Sequence, residues 1–180
     1  SERIHVMGNP PFLGHYTRSS EQADDLRLVW RRSDIGHLDY VTGWYAKAME
    51  LFEQPGYDGK FAFVSTNSIT QGEPVPDLFR PVFDAGWRVQ FAHRTFAWTS
   101  EAPDAASVHC AIVGFDRRSK SPVALFDYAG NLRGEPVRLP VTQQINGYLI
   151  DGPIAFAEAR RSPLSPALPA VMFGSMANDG

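Results

Sequence analysis

Arg3-Ile4-His5-Val6-Met7 runs into Gly8-Asn9-Pro10-Pro11-Phe12, and the junction between these two stretches decides how the rest of the chain reads. The first stretch reads as a short β-strand. It stops at the prolines, because two in succession cannot continue a ladder and each pushes its predecessor into extended geometry. In an open α/β sheet, ligands bind outside the carboxyl ends of the strands, and this loop falls at such an end. Proline has no amide hydrogen, so the loop offers backbone oxygens without competing donors. Asn9 adds a side-chain carbonyl and Phe12 a flat apolar face. Two acceptors and a ring suit a planar group that carries an NH2. Such an aryl amine is a poor nucleophile, since its lone pair is conjugated with the ring. Acceptors that grip its hydrogens localise the lone pair, and preorganised polar groups of this kind contribute roughly 3 kcal/mol each, about a hundredfold in rate. A stacked ring adds roughly 1–3 kcal/mol per base. The plain alternative is a tight turn built from residues that favour turns.

Working outward, Tyr16 to Asp34 is polar and charged, with one apolar cluster at Leu26, Leu28, Val29 and Trp30, and reads as a long, mobile excursion containing a helical piece. Leu38, Val41, Trp44, Tyr45, Ala48, Leu51 and Phe52 recur at three and four, which predicts an amphipathic helix ending before Pro55-Gly56. Phe61-Ala62-Phe63-Val64 predicts a buried strand. A helix is expected from about Asp77 to Ala85, with Pro81 kinking it or marking its first turn. Trp87 to Trp98 and Ser107 to Phe115 are strand-like, and Asp116 to Ser121 turns the latter back into Val123 to Tyr128. After Gly130 the prolines multiply (Pro136, Pro140, Pro153, Pro163, Pro166 and Pro169) and the apolar groups shorten, as in an irregular segment leaving the first domain. Strand, helix, strand, helix, strand and a closing antiparallel hairpin make an α/β fold.

Composition narrows the function classes. The chain has 180 residues, 43% hydrophobic and 21% charged, with a net charge of -3, as in ordinary globular proteins. It holds one domain's worth of core. No apolar run approaches the roughly 18 residues of a membrane span, and residues 1–5 lack the apolar core of a signal peptide. A single cysteine, Cys110, excludes an internal disulfide and fits a reducing, cytoplasmic setting. The basic residues are 14 Arg and 3 Lys. Arginine suits phosphates and base edges, although genomic base composition explains the excess as well. With the net charge negative, any nucleic-acid contact has to come from local patches.

Other groups carry weaker signals. The five histidines, His5, His15, His37, His93 and His109, lack the paired spacing of a zinc site, so no metal is expected. His109-Cys110 lies in an apolar strand and reads as packed core. His93-Arg94, near a strand end, reads as a sheet-edge cap or a substrate contact. Thr66 and Asn67 follow the second strand at its carboxyl end and are candidates to line the cleft. Arg18, Arg27, Arg31 and Arg32, beside Trp30, combine basic and aromatic character as nucleic-acid contacts do; a solvated helix face explains them equally well.

Asn9-Pro10-Pro11-Phe12 resembles the catalytic motif of the amino-methylating class of S-adenosylmethionine-dependent methyltransferases. The likeness extends over His37-Leu38-Asp39-Tyr40-Val41, Ala62 to Ile69, Phe91 to Phe96, Val108 to Phe115 and the tail Phe173 to Gly180, all of which resemble the MmeI-like, type IIL DNA adenine methyltransferases. In those enzymes a nuclease, a methyltransferase and a target-recognition domain are often fused. The resemblance implies the C-terminal half of a Rossmann-like class I methyltransferase sheet, with 1–129 the base-binding half of the catalytic domain and 130–180 a linker into target recognition. It implies DNA as partner and S-adenosylmethionine as cofactor. Asn9, through its side chain, and Pro10, through its carbonyl, would hold the adenine 6-amino group, with Pro11 stiffening the bend. Phe12 would stack on a flipped base, and Phe115 would be a second aromatic against it, unless it is an ordinary apolar strand-end residue. The family's Gly-rich cofactor turn has no counterpart here, so by itself the chain is expected to be inactive. A protein glutamine amide or an RNA guanine remains an alternative acceptor, since enzymes acting on those groups use the same tetrapeptide pattern, and a non-catalytic folded fragment is the third reading.

Overall fold

A computed structural model describes residues 2–14, 16–98, 108–117, 120–157, 165 and 167. The tail 173–180, His15, Pro163, Pro166 and Pro169 lie outside the described residues.

Strand β1 (Glu2–Gly8) is followed by helices α1 (Ser20–Trp30) and α2 (Thr42–Glu53), strand β2 (Tyr57–Thr66), a short 3-10 helix (Asn67–Thr70) and helix α3 (Pro74–Asp84). Strands β3 (Arg88–Trp98), β4 (Val108–Asp116), β5 (Ala124–Asp127) and β6 (Val137–Leu139) complete a six-stranded sheet of order β1-β2-β4-β3-β5-β6. β1 and β2 are parallel, as are β3 and β5, while β4 runs antiparallel to both β2 and β3.

Local chemistry sets the helix ends. Ser19 accepts from the Gln22 amide and Gln22 returns a bond to the Ser19 amide, a capping box that starts α1; Arg31, at φ 54°, ends it. α2 begins at Thr42, later than its apolar spacing suggests, because Leu38 and Val41 are buried in the turns that lead into it. α3 takes Pro74 in its first turn and keeps Pro81 inside. Pro81 cannot donate to the Asp77 carbonyl, and Arg32 Nη1 reaches that oxygen instead, at 3.4 Å.

The core lies on one face of the sheet. Phe61, Phe63 and Ser65 alternate inward along β2, and Tyr45 of α2 meets Phe61, Phe63 and Phe115 with ring centroids 6.1, 5.2 and 5.9 Å apart. The Tyr45 hydroxyl is buried, and a 2.7 Å hydrogen bond to Ser65 satisfies it. Phe79 of α3 reaches the same Phe115 at 6.2 Å, so both helices cover one face.

Two expectations need correction. The turn after β4 does not fold β5 back onto β4: β5 crosses to the far side of β3 and pairs with it in parallel, through Phe91–Ala124, Ala92–Leu125 and His93–Phe126. The antiparallel pair at the end of the sheet is β5 with β6, while β4 pairs antiparallel with β2 and β3 inside it. Residues 131–157 of the proline-rich stretch are largely irregular but packed against the rest of the fold. They contribute β6, they bury Ile145 and Leu149 in the core, and Phe156 stacks on Phe83 at 6.3 Å.

At Gly59 the β2 backbone lies close against β1 and Phe52. A Cβ there would sit 1.8 Å from the Ile4 carbonyl oxygen and 2.7 Å from the Phe52 ring. Backbone cannot yield as a side chain can, so Gly59→Ala is expected to destabilise the protein by roughly 2–3 kcal/mol or more, read as a lower midpoint in urea unfolding. An unchanged midpoint would mean that the strands can spread at little cost.

Candidate active site

β1 ends at Gly8, paired with Phe63, and the next four residues stand at the carboxyl edge of the sheet. Asn9 and Pro11 are exposed, Pro10 is buried, and Phe12 is half-buried against the rim of the core. The loop is held from behind. Leu13, immediately after Phe12, donates its amide to Asp39 Oδ1 at 3.1 Å, and its carbonyl accepts from the Tyr40 amide at 3.0 Å. Asp39 Oδ1 also accepts from the Val41 amide at 3.1 Å, and Oδ2 accepts from the Thr66 hydroxyl at 3.0 Å. One carboxylate, 6% exposed, thus joins the end of the loop, the approach to α2 and the end of β2.

Thr66 passes its hydrogen-bonding on to Ser68, at 2.8 Å, and Asn67 opens the 3-10 helix. Both are half-buried at the carboxyl end of β2. Arg18 donates to the carbonyls of Gly36 and Leu38. Burial pushes its pKa down, against the attraction of Asp39. Its guanidinium therefore braces the turn that carries Asp39. The other arginines have partners of their own. Arg27 pairs with Asp24 at 2.7 Å, Arg31 with Glu50 at 3.3 Å, and Arg32 with Asp34 and Asp77, both at 3.0 Å. The structure does not gather the four around the loop.

Phe115 requires a correction. It is 1% exposed, stacked on Phe61 at 4.8 Å, and paired in register with Phe61. Since β4 is antiparallel to β2, its carboxyl end lies at the edge opposite Asn9, and Phe115 belongs to the core. The aromatic residues that do reach the near edge are on β3, which runs the same way as β1 and β2. Phe96 shares Cys110 as cross-strand partner with Thr66, and Trp98, two residues on, is 45% exposed. Sequence reading passed over this pair. The signal was present, as Phe96-Ala97-Trp98 alternates at a strand end.

His93 is not at the strand end. It stacks on Phe126 at 4.6 Å, its Nδ1 lies 3.0 Å from the Tyr128 hydroxyl, and burial lowers its pKa. Arg94 lies 3.5 Å from Asp127. Cys110 is buried and its thiol pKa is raised by that burial, whereas His109 beside it is exposed and not part of the core. Among the described residues no group of three His, Cys, Asp or Glu is placed to hold a metal, and no helix is long and apolar enough to cross a membrane. The turn after β1 is Asn-Pro-Pro, and between β2 and α3 only Gly72 has the positive φ that a close backbone approach would use.

A family model described as MmeI, DNA-methyltransferase domain, matches residues 1–127. DNA methyltransferase A of Bacillus subtilis (strain 168) is 33% identical to the chain over its whole length, which corresponds to 20% of that protein. The structure of the type IIL restriction-modification enzyme MmeI in complex with DNA superposes with a TM-score of 0.82 at 39% identity, over 89% of this chain and 21% of MmeI. The chain spans about a fifth of the length of these relatives.

Phe115→Ala is expected to cost roughly 3–5 kcal/mol of stability in urea unfolding, as core truncations do. A stable variant with selectively impaired base binding would restore Phe115 to the site. His93 supplies a pH test. Its folded pKa lies below the ordinary 6.5, so the unfolded chain takes up a proton that the folded one refuses. Its share of the stability is present above that value and is lost as pH falls into the window just beneath it. The melting temperature should drop less in His93→Gln than in the native protein between about pH 7.5 and about pH 5.5, and equal drops would show that His93 is not involved.

Proposed function

The chain belongs to the family of the MmeI DNA-methyltransferase domain, and on that premise we propose that it is the base-binding part of a restriction-modification methyltransferase that methylates the 6-amino group of adenine in DNA. The observation that carries this reading is the state of Asn9-Pro10-Pro11-Phe12: exposed at Asn9, buried at Pro10, and tied down just beyond Phe12 at the carboxyl edge.

In the proposed reaction the adenine leaves the duplex, because its amino nitrogen is otherwise inaccessible within the stack. The Asn9 side-chain oxygen and the Pro10 carbonyl accept the two amino hydrogens. That draws the lone pair out of conjugation and stabilises the positive charge that grows on nitrogen. Phe12 supports one face of the base, and an aromatic on the β3 side, with Trp98 the exposed candidate, takes the role assigned from sequence to Phe115. S-adenosylmethionine would supply an electrophilic methyl on a sulfonium. Arg31, the most exposed of the α1 arginines, remains a candidate for phosphate contact, at the cost of its Glu50 pair.

The test is methyl transfer by the complete enzyme, with DNA, RNA and protein acceptors assayed side by side and the product identified by mass spectrometry. N6-methyladenine in DNA is expected. Methylated guanine in RNA or glutamine in protein would overturn the choice of acceptor. Asn9→Ala should lower single-turnover transfer about a hundredfold or more. Trp98→Ala should weaken retention of the flipped base, seen as reduced fluorescence of 2-aminopurine at the target position, with transfer slowed about tenfold.

A further inference from the structure

Asp39 has no part in gripping the amine, yet three structural elements converge on it. We infer that Asp39 is the positioning residue of the active loop: its carboxylate sets the height and tilt of Asn9-Pro10 relative to the end of β2, and so decides whether the two acceptor oxygens meet the amino hydrogens in line.

The argument starts from the stiffness of the loop. Prolines at 10 and 11 leave few soft torsions between Gly8 and Phe12, so the loop moves as a unit about its two ends. The front end is fixed by the pairing of Gly8 with Phe63. The rear end is Leu13, and both its backbone groups are held, the amide by Asp39 Oδ1 and the carbonyl by the amide of Tyr40, the next residue after Asp39. Asp39 cannot drift, because the Val41 amide shares Oδ1, Thr66 holds Oδ2, and the Asp39 carbonyl accepts from both the Thr42 amide and the Thr42 hydroxyl. Arg18 fixes the carbonyls on either side of His37 and lies near enough to offset the buried charge. The carboxylate therefore measures the loop directly against β2, the neighbouring strand of the cleft. Misplacement of reacting groups by about 1 Å lowers rates by about a hundredfold.

This inference rests on the proposed reaction, and the experiment separates the two. In the complete enzyme, Asp39→Ala is expected to slow single-turnover methyl transfer about ten- to a hundredfold, while the dissociation constants for DNA and S-adenosylmethionine stay within about threefold. Asp39→Asn keeps an Oδ1 acceptor for both amides, and its Nδ2 can donate to Thr66 with the hydroxyl turned, so it should recover transfer to within about fivefold of the native rate. Rate retention in Asp39→Ala, loss confined to DNA or cofactor affinity, or an Asn variant as slow as the Ala variant would each overturn the positioning role. If Asp39→Ala does not fold, Thr66→Val removes the Oδ2 donor alone. It should slow transfer about three- to tenfold with an unchanged melting temperature, and a native rate would overturn the inference. A native enzyme that methylates no adenine in DNA, or an Asn9→Ala variant with full activity, would instead remove the proposed reaction itself.

Discussion

Two strands that run the same way cannot be joined by a tight turn. The chain has to leave the sheet at one edge and return at the other, and the parallel pairing of β1 with β2 imposes that journey here. The exit point is the carboxyl edge of β1, so Asn9 to Phe12 become the first residues outside the sheet. The return path is α1 followed by α2, which places Asp39 directly before α2 and brings it under the loop from which the excursion began. The end of β2, with Thr66, then arrives beside both. Loop, carboxylate and hydroxyl meet because a single crossover closes on itself, and this explains how residues separated by dozens of positions share one small site.

The crossover holds because α2 has something to bury. Tyr45, Ala48, Met49 and Phe52 face the sheet, and the aromatic set around Tyr45, Phe61 and Phe115 fills the space between. Burying the Tyr45 hydroxyl would be costly without Ser65, and the same site raises its pKa far out of the working range. It is a structural group, not a titrating one. The buried charges obey the same rule. Asp39 is surrounded by donors, Asp116 lies against Arg88 at 2.8 Å, and Arg18 ends on carbonyl oxygens. At Asp39 and Asp116 hydrogen bonds from neighbouring donors replace water.

The insertion of β4 between β2 and β3 has the largest consequence for function. One antiparallel strand reverses which of its ends is near the cleft. Its carboxyl end, with Phe115, lies at the edge away from Asn9, while the end of β3 brings Phe96 and Trp98 to the near edge.

Much of this was legible without coordinates. The strand-loop junction at Met7 to Phe12, the amphipathic α2, the buried apolar run of β2, and the α/β class depend on local periodicity and on proline chemistry, which act through neighbouring residues. Pro10 and Pro11 end a strand wherever they occur. The rest depended on partners remote in sequence. Whether Val123 to Tyr128 pairs with β4 or crosses to β3 depends on sheet order, which the turn at Asp116 to Ser121 does not encode. Which edge an aromatic at a strand end reaches depends on strand direction and which face it takes depends on register, and Phe115 and Trp98 differ in both. Asp39 is an ordinary acidic residue in the sequence. Only the folded chain brings Leu13, Val41 and Thr66 within hydrogen-bonding distance of it, because convergence of three elements is a property of the crossover and of no segment taken separately.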